Sequence, residues 1–99
     1  MRLRPQHIAA IKEVVAREAG PDARVRLFGS RLDDSARGGD IDLLVELPAA
    51  ADNAPRLEAR VAAGIERLLG EQRIDVLVTA PNLAEQPIHR VARQLGQLL

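Results

Sequence analysis

The sequence of 99 residues contains no cysteine. This absence excludes disulfide bonds, thiolate metal sites and a cysteine nucleophile, and it leaves oxygen and imidazole groups as the metal ligands. It also fits the reducing conditions of the cytosol. The first residues are polar and contain no apolar run of about 7 to 15 residues, so neither a secretory signal nor a membrane span is visible. We therefore expect a cytoplasmic protein without membrane contact.

An excess of charge of either sign is also lacking, because 14 basic side chains balance 14 acidic ones. A protein that grips duplex nucleic acid presents a basic field to the phosphates, so general DNA binding is not expected. With 46% apolar and 28% charged residues, the composition is that of an ordinary globular protein. This length has room for one compact core, and we assign residues 1–99 to a single domain.

Apolar residues at helical spacing predict three helices. The first follows Pro5 and ends at Gly20, and the second runs from about Pro55 to Leu69. In the third, the stripe continues to the end of the chain and consists of Ile88, Val91, Leu95, Leu98 and Leu99. We expect this stripe to pack on the sheet, with contact to a partner chain as the alternative.

Three short apolar segments predict strands: Val25 to Phe28, Asp40 to Leu47, and Ile74 to Val78. Together with the helices they give the order α-β-β-α-β-α, without internal repeats. This order predicts a small α/β (α+β) domain in which a mixed β-sheet is flanked by helices.

Two acids, Asp40 and Asp42, open the second strand. Residues two apart in a strand point to the same face and lie roughly 6.5 to 7 Å apart, so these carboxylates project together. The opposite face carries an apolar row: Ile41, Leu43, Val45 and Leu47. Paired carboxylates repel each other unless a positive charge lies between them, and hard oxygen ligands favour Mg²⁺ over Zn²⁺. The pair therefore predicts a metal site that also takes substrate phosphates.

A third acid, Asp75, is the only charge in the apolar third strand. If this strand pairs with the second one, Asp75 can join Asp40 and Asp42 around two metal ions about 3.5 to 4 Å apart. Such a pair of ions stabilises both the attacking and the leaving oxygen of an in-line displacement. We therefore predict that the three acids are both the metal ligands and the catalytic residues.

A Gly29–Ser30 pair follows the first strand and is a candidate phosphate site. Glycine lets the backbone approach closely, and backbone N–H groups and a hydroxyl can meet phosphate oxygens. Arg31 is the favoured cation for the phosphates, and Arg37 lies in the same polar loop. Taken singly these signals are weak, because such a glycine–serine pair is usually a turn and an Asp-x-Asp often caps, lies on the surface or binds calcium. Their order and spacing together indicate nucleotide chemistry.

The segment from Leu27 to Leu47, LFGSRLDDSARGGDIDLLVEL, closely resembles the signature of the DNA polymerase beta-like nucleotidyltransferase superfamily, especially its minimal nucleotidyltransferase (MNT) branch. The resemblance implies the palm fold of that superfamily, with ATP and two Mg²⁺ ions. Asp40 and Asp42 would lie on both metals and Asp75 on the metal that carries the acceptor oxygen. Gly29 and Ser30 would hold the β and γ phosphates, and Arg31 would neutralise charge on the phosphates.

Many MNT proteins look like antitoxins that bind a HEPN-type helical partner and transfer AMP to it. The resemblance therefore implies a protein adenylyltransferase. The small size of the chain and an acid face without a lid indicate that a partner chain, either a helical protein or a second copy, completes the site. In the frequent form of the motif another arginine follows closely after GSR, whereas Leu32 and Asp33 stand here. The role of Arg37 as a second loop arginine therefore stays open.

Two rival functions remain at this level. The first is a binding module of the same fold that neutralises a partner by contact without catalysis. The second, an antibiotic-modifying nucleotidyltransferase, would need an acceptor pocket from another domain. His7 and His89 lie on predicted helices and Glu46 lies two steps from the acid pair, so none of them is assigned to the site.

Overall fold

A computed structural model describes residues 3–29, 40–70 and 73–99 of the chain. Its elements, in chain order, are α1 (Pro5–Ala19), β1 (Arg24–Phe28), β2 (Ile41–Glu46), α2 (Ala54–Leu69), β3 (Ile74–Thr79), α3 (Pro87–Leu95) and β4 (Gln97–Leu98). The predicted class and the order α-β-β-α-β-α are confirmed, and β4 is an addition at the end. No helix in the described ranges combines the length and the apolar character needed to cross a bilayer.

The four strands form one mixed sheet in the order β3-β2-β1-β4. β1 is antiparallel to both β2 and β4, whereas β2 and β3 are parallel. Parallel neighbours need a crossover connection because the chain has to return to the same end of the sheet. The connection between β2 and β3 contains α2, so this helix brings the start of β3 next to the start of β2.

One face of the sheet is buried under α1 and α2. Its side chains alternate along the strands, and all are at most 9% exposed: Val25, Leu27, Ile41, Leu43, Val45, Ile74, Val76 and Val78. The helices contribute fully buried side chains to the same core, among them Ile11, Val14, Val61 and Ile65. Burial of each such side chain contributes about 1.5–3 kcal/mol, so this face holds the sheet and helices together. The apolar row predicted for the second strand thus packs beneath the helices.

The opposite face of the sheet carries the acids and is partly covered by α3. Asp42, Leu44 and Glu46 alternate with the core residues of β2 and therefore share this face. Arg93 of α3 lies with its Nε 3.3 Å from Oε2 of Glu46, and Leu44 is fully buried. Because Glu46 lies at the far end of β2 from Asp42, α3 covers that end.

The C-terminal segment differs from the prediction of a helix that continues to Leu99. α3 ends at Leu95, and β4 pairs with β1. Gly96 makes this change of direction possible, since its N–H donates to the Ala92 carbonyl and a Cβ at this position would overlap the Ala92 carbonyl oxygen and lie 3.2 Å from that of Leu27. The predicted helix is too long because the spacing of apolar residues carries no information about the close backbone approach that glycine allows at Gly96.

A contact between α2 and the edge strand β3 gives a first testable expectation. The Val78 N–H, which points away from β2, donates to Oε2 of Glu58 at 2.8 Å. We expect Glu58→Ala to lower the free energy of unfolding by about 1–3 kcal/mol, because it leaves a partly buried donor without a partner. Urea unfolding measures the change. Glu58→Gln, which keeps an acceptor, should cost less, and Glu66→Ala on the exposed side of α2 should cost almost nothing; equal midpoints for all three would show that the contact does not stabilise the fold.

Candidate active site

Two of the three predicted acids lie side by side on neighbouring strands. The register of the parallel pair β2 and β3 places Asp42 level with Asp75. Strands in a sheet are about 4.8 Å apart, so side chains on the same face of level residues are direct neighbours. Both point away from the core formed with α1 and α2. Side chains from two separate parts of the sequence are thus brought together by strand pairing.

The third acid, Asp40, lies just before β2 at the same end of the sheet. The ladder is extended here by a hydrogen bond from the Ile41 N–H to the Arg73 carbonyl at 3.0 Å. The Arg73 side chain lies between two of the acids, because its Nε is 3.6 Å from Oδ2 of Asp40 and 3.6 Å from Oδ1 of Asp75. The Asp40 and Asp75 side chains are 44% and 47% exposed, so this end of the acid face is open to solvent.

Arg73 is the residue at this site that the sequence analysis missed. Its position two residues before Asp75 is the signal in the sequence that could have suggested it. The chain is rich in arginine, however, and a single arginine before a strand has no distinctive pattern. Only the pairing of β2 with β3 shows that its guanidinium reaches both Asp40 and Asp75.

Gly29 places the end of β1 directly against Asp42. Its φ of 80° lies in the left-handed region, which glycine adopts without the steric cost of a Cβ. A Cβ at this position would overlap the Asp42 carboxylate and would lie 3.2 Å from its Cγ. The neighbouring residue Phe28 is paired with Asp42 across the antiparallel ladder. The backbone of Gly29 therefore limits the positions that the Asp42 carboxylate can take.

Asp42 is the acid whose protonation is most affected by its surroundings. Partial burial raises its pKa above the ordinary value for aspartate, and the negative charges of Asp75 and Asp40 raise it further. The positive charge of Arg73 acts in the opposite direction. Burial and like charge both disfavour the ionised form of Asp42, and the positive charge of Arg73 offsets only part of their effect.

Several predicted phosphate-binding residues lie outside the described residues. Ser30 and Arg31 belong to this group, as does the loop arginine Arg37. Of the predicted nucleotide-binding residues, Gly29 is the one that the structure describes. Its position beside Asp42 means that a group bound to the backbone after β1 would lie next to the acids.

The donor chemistry of this site fits a divalent cation. Three carboxylates project from one end of the sheet, and oxygen ligands of this kind are the ones that Mg²⁺ prefers. In the described part of the chain, however, no group of three or more histidine, aspartate or glutamate side chains is close enough together to hold a metal ion. Asp40 and Asp75 are instead paired with Arg73. Asp40, Asp42 and Asp75 are thus suitable ligands that need a side-chain adjustment to act as a group.

Two residues that the sequence analysis set aside have structural roles. Oε1 of Glu46 lies 2.5 Å from Nε of Arg26, and its other carboxylate oxygen pairs with Arg93. His89 is buried, and its Nδ1 accepts a hydrogen bond of 2.9 Å from the Gln86 N–H at the start of α3. Both residues therefore hold α3 in position.

Comparison with known proteins agrees with this geometry. No curated protein sequence matches the chain. A sequence model of one family does match, over residues 8–96, and that family is described as the nucleotidyltransferase domain. The matched range includes the strand end at Gly29, all three acids and α3. With a match over most of its length and with Asp42 level with Asp75 beside the Gly29 backbone, the chain belongs to the nucleotidyltransferase domain family of the polymerase beta-like superfamily.

Proposed function

We propose that this nucleotidyltransferase domain uses two Mg²⁺ ions to transfer AMP from ATP to a hydroxyl group of a partner protein. In this proposal the partner is a HEPN-type helical toxin, and the chain acts as its antitoxin. The observation that carries the catalytic part is the register that sets Asp42 level with Asp75, with Asp40 at the same end of the sheet. The MNT resemblance of the segment from Leu27 to Leu47 supports the identity of the partner.

Each acid has a defined part in the proposed reaction. Asp40, Asp42 and Asp75 would hold the cations, which neutralise phosphate charge and lower the pKa of the acceptor hydroxyl when bound. The acceptor oxygen forms a bond to the α-phosphorus while the bond to the β-phosphate oxygen breaks, and pyrophosphate leaves. Asp75 accepts the acceptor proton. Gly29, with Ser30 and Arg31, would bind the phosphates, so most of the catalytic effect comes from positioning and charge.

An apolar surface on α3 supports a protein as the acceptor. Ile88, Val91 and Leu95 are 47%, 46% and 69% exposed and lie along one side of the helix. The face of α3 that packs on the sheet is instead formed by His89 and Ala92. The predicted stripe therefore does not pack fully on its own sheet. Because α3 covers the same sheet face that carries the acids, a protein docked on this stripe would lie on the acid side of the molecule.

Transfer of label tests this proposal. The purified chain is incubated with α-labelled ATP, Mg²⁺ and the product of the neighbouring gene, and the label on protein is followed. We expect label on the partner, and we expect Leu95→Glu to reduce labelling at least about tenfold by weakening docking while leaving the acids unchanged. An exposed charge change on the other side of the molecule, Glu66→Lys, is the matched control. Absence of label on any protein, with a stable complex, would contradict the catalytic proposal.

The rival proposal, a binding module without catalysis, is favoured by one observation. Arg73 occupies two of the acids in the described structure, as a purely structural ion pair would. Under this proposal a substitution in the acid cluster, Asp42→Asn, leaves neutralisation of the partner intact. Under the catalytic proposal the same substitution abolishes neutralisation while the complex still forms.

A further inference from the structure

The Arg73 side chain contacts two of the acids that would bind a metal ion. One atom, its Nε, lies 3.6 Å from a carboxylate oxygen of Asp40 and 3.6 Å from one of Asp75. These two acids come from different strands, and Arg73 connects them across the β2 and β3 pair. Its guanidinium is permanently charged, so it neutralises part of the acid cluster at every relevant pH.

We propose that Arg73 is an internal counter-cation that holds Asp40 and Asp75 in the metal-free protein and is displaced from them when a divalent cation binds. This inference rests on the proposed function, because it takes the three acids as the ligands. Arg73 is then a positioning residue that acts through Asp40 and Asp75.

Competition follows from the geometry and the charge of the site. A carboxylate oxygen that faces a guanidinium is shielded from a metal ion, and the two cations repel each other at short distance. The absence of a preassembled group of three ligands among the described residues agrees with this, since two of the acids are engaged by Arg73. Displacement requires that Arg73 can leave, and its side chain is 73% exposed. Water can therefore hydrate the guanidinium of Arg73 as the ion pairs break.

The pairs are also weak enough to be replaced. Exposed ion pairs contribute little net stability, because water competes for both partners and salt screens them. A divalent ion has twice the charge of the guanidinium and binds several oxygens at once. Arg73 thus reduces the repulsion among the acids and weakens metal binding without preventing it. Loss of Arg73 should have opposite effects on the metal-free and the metal-bound protein.

The experiment compares wild type with Arg73→Ala, using Mn²⁺ as the probe ion. Isothermal titration calorimetry gives the Mn²⁺ affinity, and thermal unfolding with and without Mn²⁺ gives the stability. We expect Arg73→Ala to bind Mn²⁺ about three- to tenfold more tightly, which is the effect of removing two weak competing contacts. We also expect a lower melting temperature without metal and a larger rise when Mn²⁺ is added. Arg73→Lys, which keeps the charge, should lie between the two and serves if the alanine variant does not fold.

The matched control is Arg60→Ala, which removes an exposed ion pair with Glu18 on the helical layer, at 3.4 Å. It should change the melting temperature without changing the Mn²⁺ affinity. An Mn²⁺ affinity of Arg73→Ala equal to or weaker than that of wild type, where wild type binds Mn²⁺ and Asp42→Asn does not, would overturn the role of Arg73 and leave the proposed function standing. If neither wild type nor Arg73→Ala binds Mn²⁺, both proposals fall; binding by the variant alone would show that Arg73 blocks the ion and is not displaced by it, and this outcome would overturn displacement while leaving the acids as ligands.

Discussion

Asp42→Asn is expected to lower the rate of nucleotide transfer at least about 10³-fold while the protein remains folded. Asp42 is the central acid, level with Asp75 and two positions after Asp40. Asparagine has nearly the same shape but no negative charge, so it removes one of the proposed metal ligands without creating a cavity. Metal-assisted charge stabilisation is worth several kcal/mol, and each 1.36 kcal/mol corresponds to a factor of ten in rate. Release of label from α-labelled ATP in single-turnover conditions measures the loss.

The same substitution should make the metal-free protein more stable at neutral pH. The pKa of Asp42 is raised in the folded state, so the folded protein binds this proton more tightly than the unfolded chain. The corresponding stability is present below the unfolded pKa and is lost as the pH rises through the raised folded pKa. Asparagine does not ionise and avoids this loss. The advantage of Asp42→Asn over wild type should therefore be present at pH 7 and disappear in strong acid, as followed by urea unfolding across pH.

A control separates the site from the chemistry of the substitution. Asp22→Asn makes the same change in the exposed turn before β1, at the opposite end of that strand from Gly29. It should leave transfer unchanged and should not give the same gain in stability. If Asp42→Asn retained more than about a tenth of the wild-type rate, the acid cluster could not be the metal site that we propose.

Gly29→Ala is expected to lower both stability and activity, with the larger effect on activity. Alanine has to adopt a φ of 80° or move the strand end, which costs about 1–2 kcal/mol. Its Cβ would overlap the carboxylate of Asp42, so this side chain has to move. A displacement of about 1 Å at a reacting centre can cost roughly 100-fold in rate. We therefore expect a decrease in kcat of about 10- to 100-fold, measured by the same transfer assay.

Gly70→Ala is a closely matched control for the backbone term. Gly70 has a φ of 82°, but a Cβ there meets no atom of the described residues within 4 Å, its chain neighbours aside. It should reproduce the loss of stability of about 1–2 kcal/mol without the loss of kcat. Equal activities of the two alanine variants would mean that the contact between Gly29 and Asp42 has no part in catalysis. Mn²⁺ affinity provides an independent readout, and we expect it to weaken in Gly29→Ala alone.

Much of the fold could be predicted because the local signals agreed with one another. Periods of 3.6 residues for the helices and 2 residues for the strands, with Gly20 and Gly70 as helix ends, located every element except β4. The prediction was wrong at the end of α3, because the helical spacing of the apolar residues does not show that pairing with β1 competes with continuation of the helix. Leu98 continues the apolar period but forms a strand, since Gly96 lets the chain approach β1.

The amino-acid sequence by itself determined which acidic groups and which glycine the candidate site contains. It placed Asp40 and Asp42 on one strand face, separated Asp75 as the lone charge of another strand, and ended a strand at Gly29. These are local properties, because the side-chain alternation of a strand and the freedom of glycine depend on the neighbouring residues alone.

Only the tertiary structure decided which of these groups meet and which charges accompany them. The register of β2 against β3 makes Asp42 a neighbour of Asp75, and it brings Arg73 into contact with two acids. The docking of α3 on the sheet likewise decided that Ile88, Val91 and Leu95 are exposed while His89 is buried. Such outcomes depend on contacts between residues far apart in the chain. Strand pairing and helix docking are selected by the total burial and hydrogen bonding of the fold, so they do not follow from any one segment of the sequence taken alone.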